Sequence, residues 1–132
     1  MAGKLKLKPL PPGHRVTYHD PCKVSRAGGV LEEPRAVLKA LGVDLHEMQS
    51  HGVTNWCCGG GAGVFVINRA APLRQAAFKI KMDQVNATGA EAVVTACGSC
   101  RLNFLAGTQQ AGWNKGIESL VELVGQQLAT ND

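Results

Sequence analysis

Apolar and polar positions along the chain switch between a period of two and a helical period. Residues 15–19, Arg-Val-Thr-Tyr-His, alternate and read as a short strand, closed by Pro21, which cannot donate to an interior ladder. Val37, Leu38 and Leu41 recur at helical spacing, so residues 33–41 are expected to form a helix, with Pro34 in its first turn and Gly42 at its end. Val43–Met48 alternates again and predicts a second strand. Residues 50–63 read as a loop ending in Cys57-Cys58-Gly59-Gly60-Gly61-Ala62-Gly63. A long helix is expected from residue 64 or 72 to 87, with Pro72 as a break or restart and Leu73, Ala76, Ala77, Ile80 and Gln84 near helical spacing. Glu91–Ala96 predicts a third strand centred on Val93 and Val94. Cys97-Gly98-Ser99-Cys100 opens a helix over about 99–110, and Ile117–Leu128 reads as an amphipathic helix presenting Leu120, Leu123, Val124 and Leu128.

Strands that alternate with helices imply an α/β fold: a three- or four-stranded, mainly parallel, Rossmann-like sheet flanked by helices. In a parallel sheet all strand C-terminal ends share one edge. Cys22, the pair Cys57-Cys58, and Cys97 with Cys100 each follow one of the three strands. The five cysteines should therefore meet at that edge, where open α/β folds hold their ligands.

Composition sharpens this picture. The 132 residues suit one domain, expected over 14–132, and a hydrophobic fraction of 45% provides a core without disulfide staples. Six aromatic residues leave that core mostly aliphatic. Net charge is +4, part of it on Lys4, Lys6 and Lys8 ahead of Pro9, Pro11 and Pro12, so residues 1–13 are expected to be a flexible leader or linker end. The basic stretch lacks interleaved aromatics, which argues against nucleic acid. The sequence shows neither the apolar run of a secretory signal nor a span of about 20 apolar residues. Five cysteines is an odd number for a disulfide framework, which favours a reduced, cytoplasmic protein with a metal or thiol site and membrane contact only through partners.

Each cysteine segment has its own chemistry. Cys97-x-x-Cys100 at a strand-to-helix turn brings two sulfurs to one centre, beside helix N–H groups that stabilise thiolates. Cys57 and Cys58 can face one object only on irregular backbone, which Gly59, Gly60, Gly61 and Gly63 permit, or where that object is large; glycine N–H groups can also approach sulfur closely. Five thiolates exceed the four that a four-iron cubane takes, so one is not a ligand or the cluster is opened. Lys23, Arg26, Arg69 and Arg101 are candidates to offset cluster or substrate charge, or are ordinary surface residues. His19 could deliver a proton near the cluster as a catalytic residue, or be a capping or core histidine. Trp56 is expected to shield the site. Structural zinc, a thioredoxin-like dithiol and a phosphate loop are the competing readings; each leaves some cysteines unexplained or lacks its motif.

At Tyr18-His19-Asp20-Pro21-Cys22, Gly28-Gly29-Val30, Glu33-Pro34-Arg35, Cys57-Cys58-Gly59-Gly60-Gly61, Thr88-Gly89-Ala90-Glu91 and Thr95-Ala96-Cys97-x-x-Cys100, the chain resembles the cysteine-rich CCG domain family. That family includes catalytic subunits of heterodisulfide reductases and iron–sulfur subunits associated with glycolate, glycerol-3-phosphate and lactate oxidation. The resemblance covers about residues 15–107. It implies that Cys22, Cys57, Cys58, Cys97 and Cys100 are ligands of a non-cubane 4Fe-4S cluster, with Gly59 and Gly60 beside it. It implies electron transfer, and disulfide cleavage with electrons delivered one at a time. The implied partners are a ferredoxin-like iron–sulfur protein and a flavoprotein. This chain carries one copy of the motif and no ferredoxin-like cysteine segment, so a paired-cluster mechanism would need a homodimer or another subunit.

Overall fold

Four short runs rich in β-branched or alternating residues become strands β1 (Arg15–His19), β2 (Asp44–Leu45), β3 (Ala92–Thr95) and β4 (Gly116–Ser119) in the computed structural model, which describes residues 5–61 and 63–129. All pairings are parallel, in the order β2-β1-β3-β4. The helices are α1 (Glu32–Ala40), α2 (Ala71–Ala87), α3 (Gly98–Ala111) and α4 (Leu120–Gln126). The expected α/β architecture is the observed one.

The pleat explains the layers. Val16 and Tyr18 of β1 and Ala92 and Val94 of β3 share one face, where they pack with Leu38 and Leu41 of α1 and Leu120 and Leu123 of α4. Val93 belongs to the opposite face, with Phe78 and Val85 of α2 and Phe104 of α3. The chain runs outward from β1 to β2, then returns across β1 to β3 and β4. The direction of winding therefore reverses between β1 and β3, and the crevice beyond their C-terminal ends is the position where such sheets bind ligands.

Three local expectations are corrected and one is resolved between its alternatives. The second strand does not run over 43–48 but pairs only at Asp44–Leu45, with His46 N–H still donating to Val16 O, because Glu47 turns to meet Arg35. Of the two expected starts of the long helix, the later one holds: residues 64–70 form two short 3-10 turns, and the helix begins at Ala71 with Pro72 in its first turn. The buried face of α2 is Phe78, Lys81 and Val85; Leu73 and Ile80 are 65% and 43% exposed. Finally, the C-terminal helix does not begin at Ile117. Residues Gly116–Ser119 pair with β3 as a fourth strand, and the Ser119 hydroxyl then accepts from Glu122 N–H to start α4. The spacing Ser119-x-x-Glu122 is a capping-box signature that marks this start in the sequence.

Of the segment expected to be a leader, residues 1–4 lie outside the described residues. Beyond them, Leu7 bridges Leu128, Lys8 N–H donates to Gln127 O and Leu10 N–H to Leu41 O, while Leu7 and Leu10 pack on the core. No helix among the described residues is long and apolar enough to cross a membrane.

One contact sets the separation of α2 and α3. A Cβ at Gly107 of α3 would overlap the Phe78 ring, which is held edge-on by Phe104 and Trp113. Gly107→Ala is expected to destabilise the domain by about 1–3 kcal/mol through overpacking. Urea unfolding followed by circular dichroism measures this; an unchanged midpoint would refute the close approach.

Candidate metal centre

The three cysteine segments reach the sheet edge by different local routes. Cys22 follows β1 and Pro21, whose carbonyl accepts from Val24 and Ser25 N–H as the chain coils into a π-helical turn at Lys23–Ala27. π-Turns recur at functional sites. Cys97 is the N-cap residue of α3, and Cys100 lies in its first turn, so the positive end of the helix faces their sulfurs. Cys57 and Cys58 sit on irregular backbone between β2 and α2, the connection that returns across the winding reversal.

Two adjoining clefts collect all five. The narrower, about 40 Å³, is lined by His19, Cys22, Cys57, Cys58 and Cys100 together with Ser25, Arg26 and Asn55. The wider, about 360 Å³, is lined by Cys22, Cys97, Cys100, Gly60 and Gly61, with apolar walls from Val24, Phe65 and Leu102. A single water needs only about 10–15 Å³ of such space, so the clefts admit a group of several atoms. Cys58 and Cys100 are buried, Cys97 is half-buried, and Cys22 and Cys57 are exposed; all five are free thiols.

The glycines shape the vicinal pair. Gly59 N–H donates to Cys57 Sγ at 3.3 Å and Gly60 N–H to Cys58 Sγ at 3.5 Å. Gly59 has φ +95°, a conformation that disfavours any side chain, and a Cβ there would lie 2.7 Å from Arg74 O. A Cβ at Gly60 would lie 2.9 Å from Asn103 Cβ. Asn103 is buried and donates to Cys58 O, fixing the pair against α3.

Without a cation Cys57 and Cys58 hold their protons. The hydrogen-bonded Cys58 thiol, and then burial, push Cys57 well above the usual thiol range. Cys100 foremost pushes Cys58 up to about 11. Coordination reverses this balance, because a bound metal ion deprotonates its thiols.

His19 is buried, and burial followed by the nearby Lys81 charge lowers its pKa to about 3, so the imidazole is neutral. Its Nδ1 has no hydrogen-bond partner, and one of its ring nitrogens lies with Cys58 and Cys100 Sγ within 4.8 Å of one another. A buried imidazole with an orphaned nitrogen, beside two sulfurs at a cleft lined by two more, fits a site built for a thiophilic metal group.

Composition and spacing did not reveal the polar frame behind the cysteines. Asp20, fully buried, receives both terminal nitrogens of Arg35 at 2.9 and 2.7 Å and Gly52 N–H at 2.7 Å. Burial opposes its ionisation, but Arg35 and Gly52 outweigh burial and hold the carboxyl below its usual range. Arg35 also bonds Glu47. Asp20 O accepts from Asn55 Nδ2, and Asn55 Oδ1 accepts from Lys81. This frame holds the loop that leads into Cys57. Of the candidate cations, Arg26 bonds the carbonyls of Val53 and Asn55 and Lys23 lines the wider cleft, whereas Arg101 pairs with Glu122 and Arg69 is exposed. Trp56 lines neither cleft; its indole N–H donates to Ala77 O.

The family model described as a cysteine-rich CCG domain matches residues 16–105, which include every one of these cysteines. The chain belongs to the cysteine-rich CCG domain family. Related proteins carry this CCG domain within longer chains. One is described as a "Probable membrane-anchored ferredoxin" of Chromohalobacter salexigens, 41% identical over 91% of this chain and 18% of that protein. Another is a subunit of the dihydromethanophenazine:CoB–CoM heterodisulfide reductase of Methanosarcina acetivorans, 34% identical over 86% of this chain and 27% of that protein. A third is the "Probable iron-sulfur-binding oxidoreductase FadF" of Bacillus subtilis, 30% identical over 96% of this chain and 18% of that protein. This CCG domain thus spans between 18% and 27% of the length of these relatives.

Proposed function

We propose that this CCG domain is an iron–sulfur redox unit of a heterodisulfide-reductase-like oxidoreductase, holding one non-cubane 4Fe-4S cluster on Cys22, Cys57, Cys58, Cys97 and Cys100. The observation that carries the reading is the convergence of five free cysteines on two adjoining clefts where the sheet winding reverses. The names of the relatives, an iron–sulfur oxidoreductase and a heterodisulfide reductase among them, support it.

When bound, the cluster supplies one-electron redox chemistry. The chain's own residues do the rest. Gly59 and Gly60 N–H groups donate to the sulfurs of the vicinal pair and so favour added negative charge. The apolar walls of the wider cleft limit water beside Cys97 and Cys100. Reducing a disulfide to two thiols takes two electrons and two protons. The electrons arrive singly from a ferredoxin-like iron–sulfur protein or a flavoprotein, in the cytoplasm or at a membrane complex reached through partners, with homodimer formation supplying a second centre. One proton reaches sulfur from water; His19, a neutral imidazole with one N–H, relays the other. In a relay role the same domain passes electrons without acting on a disulfide.

Anaerobic reconstitution of the full chain with ferrous iron and sulfide, followed by iron and sulfide analysis and EPR, tests the reading. The expected product is brown, with about four iron and four sulfide per chain. A colourless protein that takes up one zinc ion and no sulfide would establish the structural-zinc alternative instead, with His19, Cys58 and Cys100 among its ligands. Release of thiol from a small disulfide by the dithionite-reduced, desalted protein separates catalysis from relay.

A further inference from the structure

Lys81 lies in the middle of α2 with no exposed surface. Its ammonium donates to Asn55 Oδ1 at 3.1 Å and reaches Met48 Sδ at 3.7 Å. Both partners are neutral. A buried charge is costly unless an opposite charge answers it. Among the described residues no carboxylate forms an ion pair with Lys81, and Asp20 is already bound to Arg35 and Gly52. Asn55 lines the narrower cleft with Cys57, Cys58 and Cys100, so the other groups able to answer the Lys81 charge are sulfurs. Burial lowers the Lys81 pKa to about 8, and the charges that counter this are Cys58 first, then Asp20, Cys57 and Cys100.

A neutral amide could have served as donor to Asn55 without the desolvation cost of an ammonium. An ammonium is matched instead to a centre that gathers negative charge. We propose that Lys81 is the counter-cation of the thiolate centre, a positioning residue whose fixed charge stabilises the reduced centre while its hydrogen bond holds Asn55 and the loop into Cys57. The inference rests on the iron–sulfur reading above and adds a determinant of potential that lies outside the ligand set. A fixed positive charge in a poorly solvated interior favours an added electron, so its removal makes the centre harder to reduce.

The test is an EPR-monitored redox titration of the full chain reconstituted with ferrous iron and sulfide. Lys81→Met and Lys81→Gln are expected to load iron and sulfide yet show a roughly tenfold lower reduced-to-oxidised ratio at a fixed potential, about 59 mV for a one-electron couple. Lys81→Arg is expected to restore the native ratio. Reduced iron uptake by folded neutral variants, restored in Lys81→Arg, supports the same role. Neutral variants that titrate with the unaltered chain, or a defect that Lys81→Arg fails to restore, overturn it. Failure of both neutral variants to fold, read by circular dichroism, also overturns it, since the ammonium then serves folding alone. If the unaltered chain takes up no iron and sulfide, the reading beneath the inference fails first, before any variant is compared.

Discussion

Asp20→Ala is expected to destabilise the metal-free domain by about 3–5 kcal/mol, the cost of removing one partner from a buried ion pair. The carboxylate has no exposed surface and is held by a bidentate Arg35, whose side chain is 14% exposed. Without Asp20, Arg35 keeps Glu47 and the Leu31 carbonyl as hydrogen-bond partners and the Tyr18 ring beneath it, and Gly52 N–H loses its acceptor. A typical domain is stable by only about 5–15 kcal/mol, so the loss is a large fraction of the total. The damage is also specific, since Gly52 lies in the loop that carries the chain toward Cys57. Asp20→Asn keeps the shape and one acceptor oxygen and should fall between. Urea unfolding followed by circular dichroism gives both numbers; a loss below about 1 kcal/mol for the alanine variant would mean that Arg35 is held by Glu47 alone.

Cys58→Ser is expected to have the largest effect on the centre itself. Cys58 lies between Cys57 and Cys100 in a run of thiol contacts, and within 4.8 Å of the ligating atoms of His19 and Cys100. It is buried and its sulfur accepts from Gly60 N–H, so no water can replace it as a ligand. A hydroxyl is a harder, poorly ionised donor that iron–sulfur centres do not favour. The reconstituted variant should lose most of its iron and sulfide and the EPR signal of the native centre, while its circular dichroism stays native. Cys22→Ser, on the exposed rim, should lose less. A Cys58→Ser protein with native iron content and an unaltered spectrum would remove Cys58 from the ligand set.

The order of strands and helices and the meeting of the cysteine segments were legible because they follow from local signals. Period-two runs, Pro21 after β1, Gly42 after α1 and the Cys-x-x-Cys at a strand end each act over a few residues. The fourth strand was missed because Ile117 and Leu120 also fit a helical stripe; the Ser119-x-x-Glu122 cap that divides them is the signal that tells them apart. The polar frame was not legible for a different reason. Asp20 with Arg35, Asn55 with Asp20, and Lys81 with Asn55 are partners only once α1 and α2 have folded onto opposite faces of the sheet. Lys81 is the extreme case. Periodicity sends Leu73 and Ile80 inward and a lysine outward, yet the helix turns Lys81 toward the cysteine loop and leaves those two apolar residues exposed. A buried charge of this kind is dictated by what it faces, and no helical period encodes that.

The backbone clasp between Lys6–Lys8 and the segment after α4 has a consequence for how this fold is built into larger proteins. Both α1 and α4 run from the cysteine edge back toward the starts of the strands, and Leu10 meets Leu41 while Lys8 meets Gln127 at their far ends. Two ends of the described chain thus emerge side by side, a domain's height away from the sulfurs. Sequence appended at either end, or a graft of the whole domain into a host loop, would leave the cysteine rim open. The geometry makes the domain a cassette: it can be moved between architectures with its cysteine rim still accessible.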